Sequence, residues 1–217
     1  MTAISPIDKT QLREQLARLR KDPHQVPDAS IVVPVNATED LENILQVISD
    51  VVKYAGDYSF EVILVINNYP EDQPPQEIQE YAQMGMNIIS IPYLRRPGEA
   101  VGFTARIPGI DAASTENAIL FDADCQIPNA SALLDWYVEQ FQAGAKLAYT
   151  HVDYYGYPEL LPVKIRIFIH HFSRWVKRTL LRIPTNRGSN YAVNRTLTLD
   201  LFERGLLADE MNVGPAM

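Results

Sequence analysis

A chain of 217 residues can form one α/β domain with a substantial core but not two ordinary domains with a linker. Its net charge of −8 excludes a general nucleic-acid binder, whose footprint would be basic, so no nucleic-acid partner is expected. Cys125 is the only cysteine, which excludes a disulfide framework.

The first segment, MTAISPIDKTQLREQLARLRKD, has no uninterrupted apolar stretch of the kind a secretory signal needs. No apolar run reaches about 18 residues, so no bilayer-spanning helix is expected. The resulting expectation is a cytoplasmic protein, in which the Asn-x-Ser/Thr matches at Asn36, Asn129 and Asn194 are fortuitous.

Residues 8–21 place Leu12, Leu16 and Leu19 on one helical face, and DPHQVPD (22–28) breaks that helix. The expected organisation is an N-terminal helix and linker over 1–28, then one domain over 29–217. Within it, β-rich apolar runs at 30–35 (SIVVPV), 60–66 (FEVILVI), 87–91 (NIISI), 118–121 (AILF) and 146–151 (KLAYTH) read as strands. Between them, 40–54, 75–84, 99–114 and 129–143 carry helical patterns, the last with Asn129 as N-cap after Pro128. Near-continuous apolar strands separated by helices predict a mostly parallel sheet flanked by helices on both faces.

Ligands of such sheets bind beyond the carboxyl ends of the strands. The first strand runs out into Pro34, Val35 and Asn36, then Thr38-Glu39-Asp40; the second into Asn67 and Asn68; the fourth into Asp122-Ala123-Asp124. These polar ends should gather along one edge. Two carboxylates spaced two residues apart, leaving a buried strand, point the same way and can share a hard divalent cation. Such a cation bridges to a diphosphate and neutralises a leaving nucleoside diphosphate. The plainer reading makes the aspartates part of a turn before the next helix.

Four elements, in order, resemble family 2 glycosyltransferases of the GT-A fold (the nucleotide-diphospho-sugar transferase fold) over roughly 29–215. Pro34 to Asp40 approximates the family's first-strand signature, and Gly102 to Ile110 its Gly-x-x-x-Ala-Arg-Asn-x-Gly-Ile helix. FDADCQIP supplies the Asp-x-Asp, and Gly188 to Arg195 resembles Gly-x-Asn-x-Ala-x-Arg. The resemblance implies that Pro34, Val35 and Asn36 cradle base and ribose through their backbone. Asn67 and Asn68 stand where the family usually has Asp-Asp-Gly-Ser, so an amide replaces the carboxylate that contacts the base. Arg106 and Asp122 are implied beside the nucleotide, and Gly188, Ser189 and Asn190 on the acceptor and donor-sugar side. Asp209, or after it Glu210, matches the family's acidic pair and implies a catalytic base.

The implied activity is transfer of a sugar from a UDP- or GDP-linked donor to an acceptor hydroxyl, by inversion. Mn²⁺ or Mg²⁺ is implied at Asp124 and, directly or through water, at Asp122. The sugar and the acceptor stay open, and so does the stereochemistry, since related retaining synthases share the scaffold. A second reading is a degenerate domain of this fold that binds a sugar nucleotide or a partner without turnover. Asn67-Asn68 and the end of the sequence soon after the acidic pair favour it.

Residues 161–182 (LPVKIRIFIHHFSRWVKRTLLR) hold Lys164, Arg166, Arg174, Lys177, Arg178 and Arg182 and no acid, in an otherwise acidic chain. Their apolar residues recur at helical spacing. Packing of that apolar face on the core, or on a second subunit in a homodimer, is the leading expectation. Peripheral contact with an anionic membrane on its cytoplasmic face is the alternative.

Overall fold

The structure is a computed structural model that describes residues 9–69, 76–91, 101–150, 152, 158–181 and 190–207. In chain order its elements are α1 (Lys9–Arg20), β1 (Ala29–Asn36), α2 (Ile44–Val51), β2 (Phe60–Asn67), α3 (Gln76–Gln83), β3 (Asn87–Ile91) and α4 (Val101–Ala112). There follow β4 (Asn117–Phe121), α5 (Ala130–Gln142), β5 (Leu147–Tyr149), α6 (Leu161–Thr179), β6 (Asn190–Asn194) and α7 (Arg195–Glu203).

The strands form one six-stranded sheet in the order β3-β2-β1-β4-β6-β5. β1, β2, β3 and β4 run parallel, while β6 lies antiparallel between β4 and β5. Strict alternation divides the strands between two cores. Ile31, Val33 and Val35 of β1 join Val62, Leu64 and Ile66 of β2 under α1, α2 and α5, and Leu12, Leu16 and Leu19 belong to the same cluster. Val32, Ile63, Val65 and Leu120 point the other way, toward Ile110 of α4 and Leu201 of α7. Both faces are covered, which explains why the strand segments are apolar throughout rather than alternating.

α4 lies unusually close to the sheet because Gly109 has no side chain. A Cβ there would stand 2.5 Å from Val32 Cγ1 and 2.6 Å from Val65 Cγ2. The carboxyl end of α4 is tied by Arg195, whose guanidinium donates to the Ile110 carbonyl (3.1 Å) and the Asp111 carbonyl (2.7 Å). A cation bonding the last carbonyls of a helix satisfies groups that the helix leaves open.

The helix expected over 40–54 begins only at Ile44. Residues 37–43 turn instead, because Asn36 Oδ1 accepts from the Thr38 N–H (3.1 Å) and hydroxyl (2.8 Å). Such side-chain bonds offer the backbone an alternative to the helical ladder. Asn129 caps α5 as expected, accepting from the Ala132 N–H at 3.0 Å, and Asn194 does the same for α7 at Leu197.

One expectation is overturned. The apolar face of 161–182 does not pack on the core: Ile165, Phe168, Ile169, Phe172 and Trp175 of α6 are all exposed. No described helix is long and apolar enough to cross a membrane.

Candidate functional site

The parallel register levels the strand ends. Asn36 pairs with Asn67 across β1 and β2, and Val32 pairs with Leu120 across β1 and β4. Continued two residues further, that register sets Asp122 beside Pro34. A cavity of about 280 Å³ opens at this edge. β1 contributes Pro34 and Asn36, the turn after it Asp40, and β2 Asn67 with the following Asn68. α4 contributes Ala105 and Arg106, and the end of β4 contributes Asp122, Ala123 and Asp124. Three strand ends that are far apart in sequence therefore meet at one hollow. A larger hollow, of about 430 Å³ between α1 and residues 52–56, gathers no strand end and none of these groups.

The Asn36 carbonyl accepts from the N–H groups of Glu39 (3.1 Å) and Asp40 (2.7 Å), folding the turn back so that Asp40 faces the cavity. The Asn67 carbonyl accepts from the Ala37 N–H at 2.8 Å and links the two strand ends. Asn68 adopts φ +57°, a left-handed conformation that asparagine tolerates better than most residues. The Val35 side chain is fully buried in the core, which leaves the backbone of that residue to face the edge.

Arg106 sits one turn before Gly109, so the close approach of α4 carries its buried guanidinium against Asp122, with which it forms an ion pair. The Arg106 side chain is 6% exposed and that of Asp122 33%. Burial pushes the Asp122 carboxyl above the ordinary carboxylate range. Arg106 opposes the shift, while the charges of Asp124 and Asp40 add to it. Asp40, Asp122 and Asp124 thus repel one another around a cavity in which Arg106, the one lining cation among the described residues, offsets only part of their charge.

Two groups with no sequence signal support this edge. Asp50, buried on α2, accepts from the Ile127 N–H (3.0 Å), Gln46 Nε2 (3.1 Å) and Lys53 Nζ (2.6 Å). It thereby holds the loop that follows Asp124. Tyr191 of β6 is buried, its hydroxyl has no hydrogen-bond partner among the described residues, and burial pushes it up to about 12. Arg106 lowers that value and Asp122 raises it, which locates the phenol near the ion pair. Beside the aspartates, the Cys125 thiol is pushed up to about 12, by burial first and then by the charge of Asp122.

Asn190 stands at the same edge, paired with Phe121, but it does not line the cavity. Its amide is committed on both sides: Oδ1 accepts from the Tyr137 hydroxyl (2.7 Å) and Nδ2 donates to Thr150 Oγ1 (2.6 Å). Gly188, Ser189, Asp209 and Glu210 lie outside the described residues.

The profile of the family described as "Glycosyl transferase family 2" matches residues 30–205. The chain belongs to that family. Among solved structures it is similar to a mannosyltransferase from Pyrobaculum calidifontis in complex with GDP-Man and Mn²⁺, at 17% identity and a TM-score of 0.54. That alignment covers 89% of this chain and 54% of the mannosyltransferase, so the chain spans about half the length of that protein. A mycobacterial protein aligns at 19% identity and a TM-score of 0.50, over 94% of this chain and 67% of that one. Glucosyl-3-phosphoglycerate synthase from Mycobacterium tuberculosis, in complex with Mn²⁺, UDP and glucosyl-3-phosphoglycerate, aligns at 19% identity and a TM-score of 0.48, over 96% and 75%. No curated protein sequence matches significantly. The expected mixed α/β architecture of the GT-A glycosyltransferases, with its mostly parallel sheet, is the one observed.

Proposed function

We propose that this domain is a metal-dependent glycosyltransferase that moves a sugar from a UDP- or GDP-linked donor to an acceptor hydroxyl, with inversion. The observation that carries the reading is the meeting of Asp122, Asp124 and Arg106 with the polar ends of β1 and β2 at one cavity.

The residues present suit a divalent cation. Three carboxylates against one guanidinium leave the cavity with excess negative charge. Among the described residues no three His, Cys, Asp or Glu side chains enclose an ion by themselves. Mg²⁺-type sites need no such cage, since one or two carboxylates suffice when phosphates and water complete the shell. Asp124, exposed at the rim, would hold Mn²⁺ or Mg²⁺ directly, and Asp122, already engaged by Arg106, directly or through water. The bound cation would neutralise charge on the departing diphosphate.

The rest falls to the chain itself. Pro34, Val35 and Asn36 would hold base and ribose, with Asn67 and Asn68 beside them as amide donors and acceptors. Arg106 would steady Asp122 and face the nucleotide. Gly188, Ser189 and Asn190 would border the sugars, with Asn190 exchanging Thr150 or Tyr137 for a substrate hydroxyl. Asp209, or in its place Glu210, would take the proton from the acceptor hydroxyl as that oxygen attacks the anomeric carbon. The catalytic unit would span 29–217.

Binding without turnover is the second reading, favoured by Asn67, whose buried amide turns back to donate to the Val65 carbonyl (3.4 Å). Thermal stabilisation by UDP and GDP, with and without Mn²⁺, tests both readings. A shift that needs metal and disappears in Asp124→Ala supports a nucleotide site. Sugar-nucleotide hydrolysis that disappears in the same variant adds turnover, and stabilisation without hydrolysis selects the binder. No shift with either nucleotide refutes both readings.

A further inference from the structure

Surface helices of globular domains turn their apolar stripe to the core. α6 does the reverse. At about 100° per residue, Leu161, Ile165, Phe168, Ile169, Phe172 and Trp175 fall within an arc about 120° wide. Every one of them is exposed. Val163, Ile167 and Arg174, which are partly covered, lie outside that arc, and among the described residues Val176 is the one partly covered residue within it. Of the twelve large hydrophobic residues exposed in the described structure, nine fall between Leu160 and Leu181. The exposed stripe is also ordered: Phe168 stacks on Phe172 with centroids 6.2 Å apart, and Phe172 on Trp175 at 5.9 Å.

The charge on this helix is one-sided as well. α6 carries Lys164, Arg166, Arg174, Lys177 and Arg178 and no acid, whereas the whole chain has a net charge of −8. Glu159, which pairs with Lys164, is the nearest acid before it. From residue 160 to residue 199 there is no aspartate or glutamate.

We propose that α6 is an interfacial membrane helix that lays its aromatic stripe into the headgroup region of an anionic bilayer. An apolar arc flanked by lysine and arginine, on a helix too charged to span, is the pattern of helices that lie in the plane of the interface. Tryptophan and phenylalanine supply the buried apolar surface, and the cations meet acidic lipid headgroups. Charge complementarity selects this occupant over a second copy of the chain. Two α6 stripes placed face to face would bring two cationic helices together. Among the described residues the other exposed large hydrophobics, Val26, Phe202 and Leu206, are too few to provide a different apolar face. The inference rests on α6 alone, so it stands or falls independently of the nucleotide site.

Vesicle flotation of the full chain tests it, using phosphatidylcholine alone and phosphatidylcholine with 30% phosphatidylglycerol at low salt. Flotation with the anionic vesicles only is expected. It should fall at least tenfold in Phe172→Ser/Trp175→Ser, and about fivefold for each cation removed in Arg166→Gln and Lys177→Gln. These side chains are exposed, and unchanged circular dichroism and melting temperature separate lost binding from misfolding. In a Trp136→Phe background, the emission of Trp175 should shift to the blue on adding anionic vesicles. Failure to float, equal flotation with both vesicle types, or a concentration-dependent dimer that the Phe172→Ser/Trp175→Ser variant abolishes would each overturn the proposal.

Discussion

Arg106→Met removes the guanidinium that faces Asp122 while keeping an apolar side chain of similar reach in the slot under α4. Removing one partner of a fully buried ion pair costs about 3–5 kcal/mol. Asp122 is 33% exposed, so water recovers part of that loss. The expected destabilisation is about 1–3 kcal/mol at pH 8. At about 2–4 °C per kcal/mol for a chain of this size, the melting temperature should fall by about 2–12 °C. The pH dependence is the sharper test. The Asp122 carboxyl already sits above its ordinary range, and both influences that lower it come from Arg106. Without them the folded-state pKa rises further, so the folded variant binds a proton more readily than the unfolded chain. Its stability therefore increases as pH falls through that raised value, and the gain is complete below the unfolded pKa of about 3.9. The deficit relative to the parent should be largest at pH 8, shrink toward pH 5, and shrink at pH 8 in Arg106→Met/Asp122→Asn. Thermal melts in EDTA at both pH values measure it. A deficit that is the same at pH 8 and pH 5, and untouched by Asp122→Asn, would refute the coupling.

Three further outcomes follow from the supports of the site. Gly109→Ala drives a methyl group into Val32 and Val65, at 2.5 and 2.6 Å. Overpacking of about 1–3 kcal/mol should outweigh a helix-propensity gain of up to about 1 kcal/mol, lowering the urea midpoint; a raised midpoint would show that α4 has room to give. Asp50→Ala leaves the buried Ile127 N–H without its acceptor and should cost about 1–3 kcal/mol by urea denaturation. Lys53→Ala, which removes only an exposed cation, should cost under about 1 kcal/mol, and equal losses would contradict the loop-holding role of Asp50. With its thiol pushed up to about 12, Cys125 should react with a disulfide reagent at pH 8 about a hundredfold or more slower than a free thiol. Guanidinium should restore the rate, and fast labelling of the native protein would contradict the burial.

The edge of the sheet was legible because it rests on a rule of chain geometry. Parallel strands all end on one side, so the polar residues that follow three apolar runs must meet, whatever separates them in sequence. The pairing of Asn36 with Asn67, and Asp122 beyond the register of β4, follow from that alone. β6 is not among the expected strands; its sequence reads only as the short strand that a turn at Gly188-Ser189-Asn190 would enter. It is five residues long, merges directly into α7, and runs against its neighbours, so neither its length nor its surroundings distinguish it from a turn. Asp50 and Tyr191 left no signal because their roles depend on partners 77 residues away, in the case of Asp50 and Ile127, or on a packing that pattern cannot report.

α6 marks the limit of periodicity as a physical signal. The spacing of Ile165, Phe168, Ile169, Phe172 and Trp175 states that these side chains share a face, because helical geometry leaves no alternative. It does not state where that face points, since an apolar stripe is stabilised equally by a protein core, a second subunit or a lipid surface. Charge is the term that distinguishes them. A stripe destined for the core of its own domain has no need of five cations and no acid around it, because cations beside a core add only desolvation to be overcome. The same composition beside a negatively charged surface is attractive at every position. The period left the core, a second subunit and a lipid surface open, with packing on the core or a subunit expected first; the outward stripe of α6 removes the core and leaves the charge to decide between the other two.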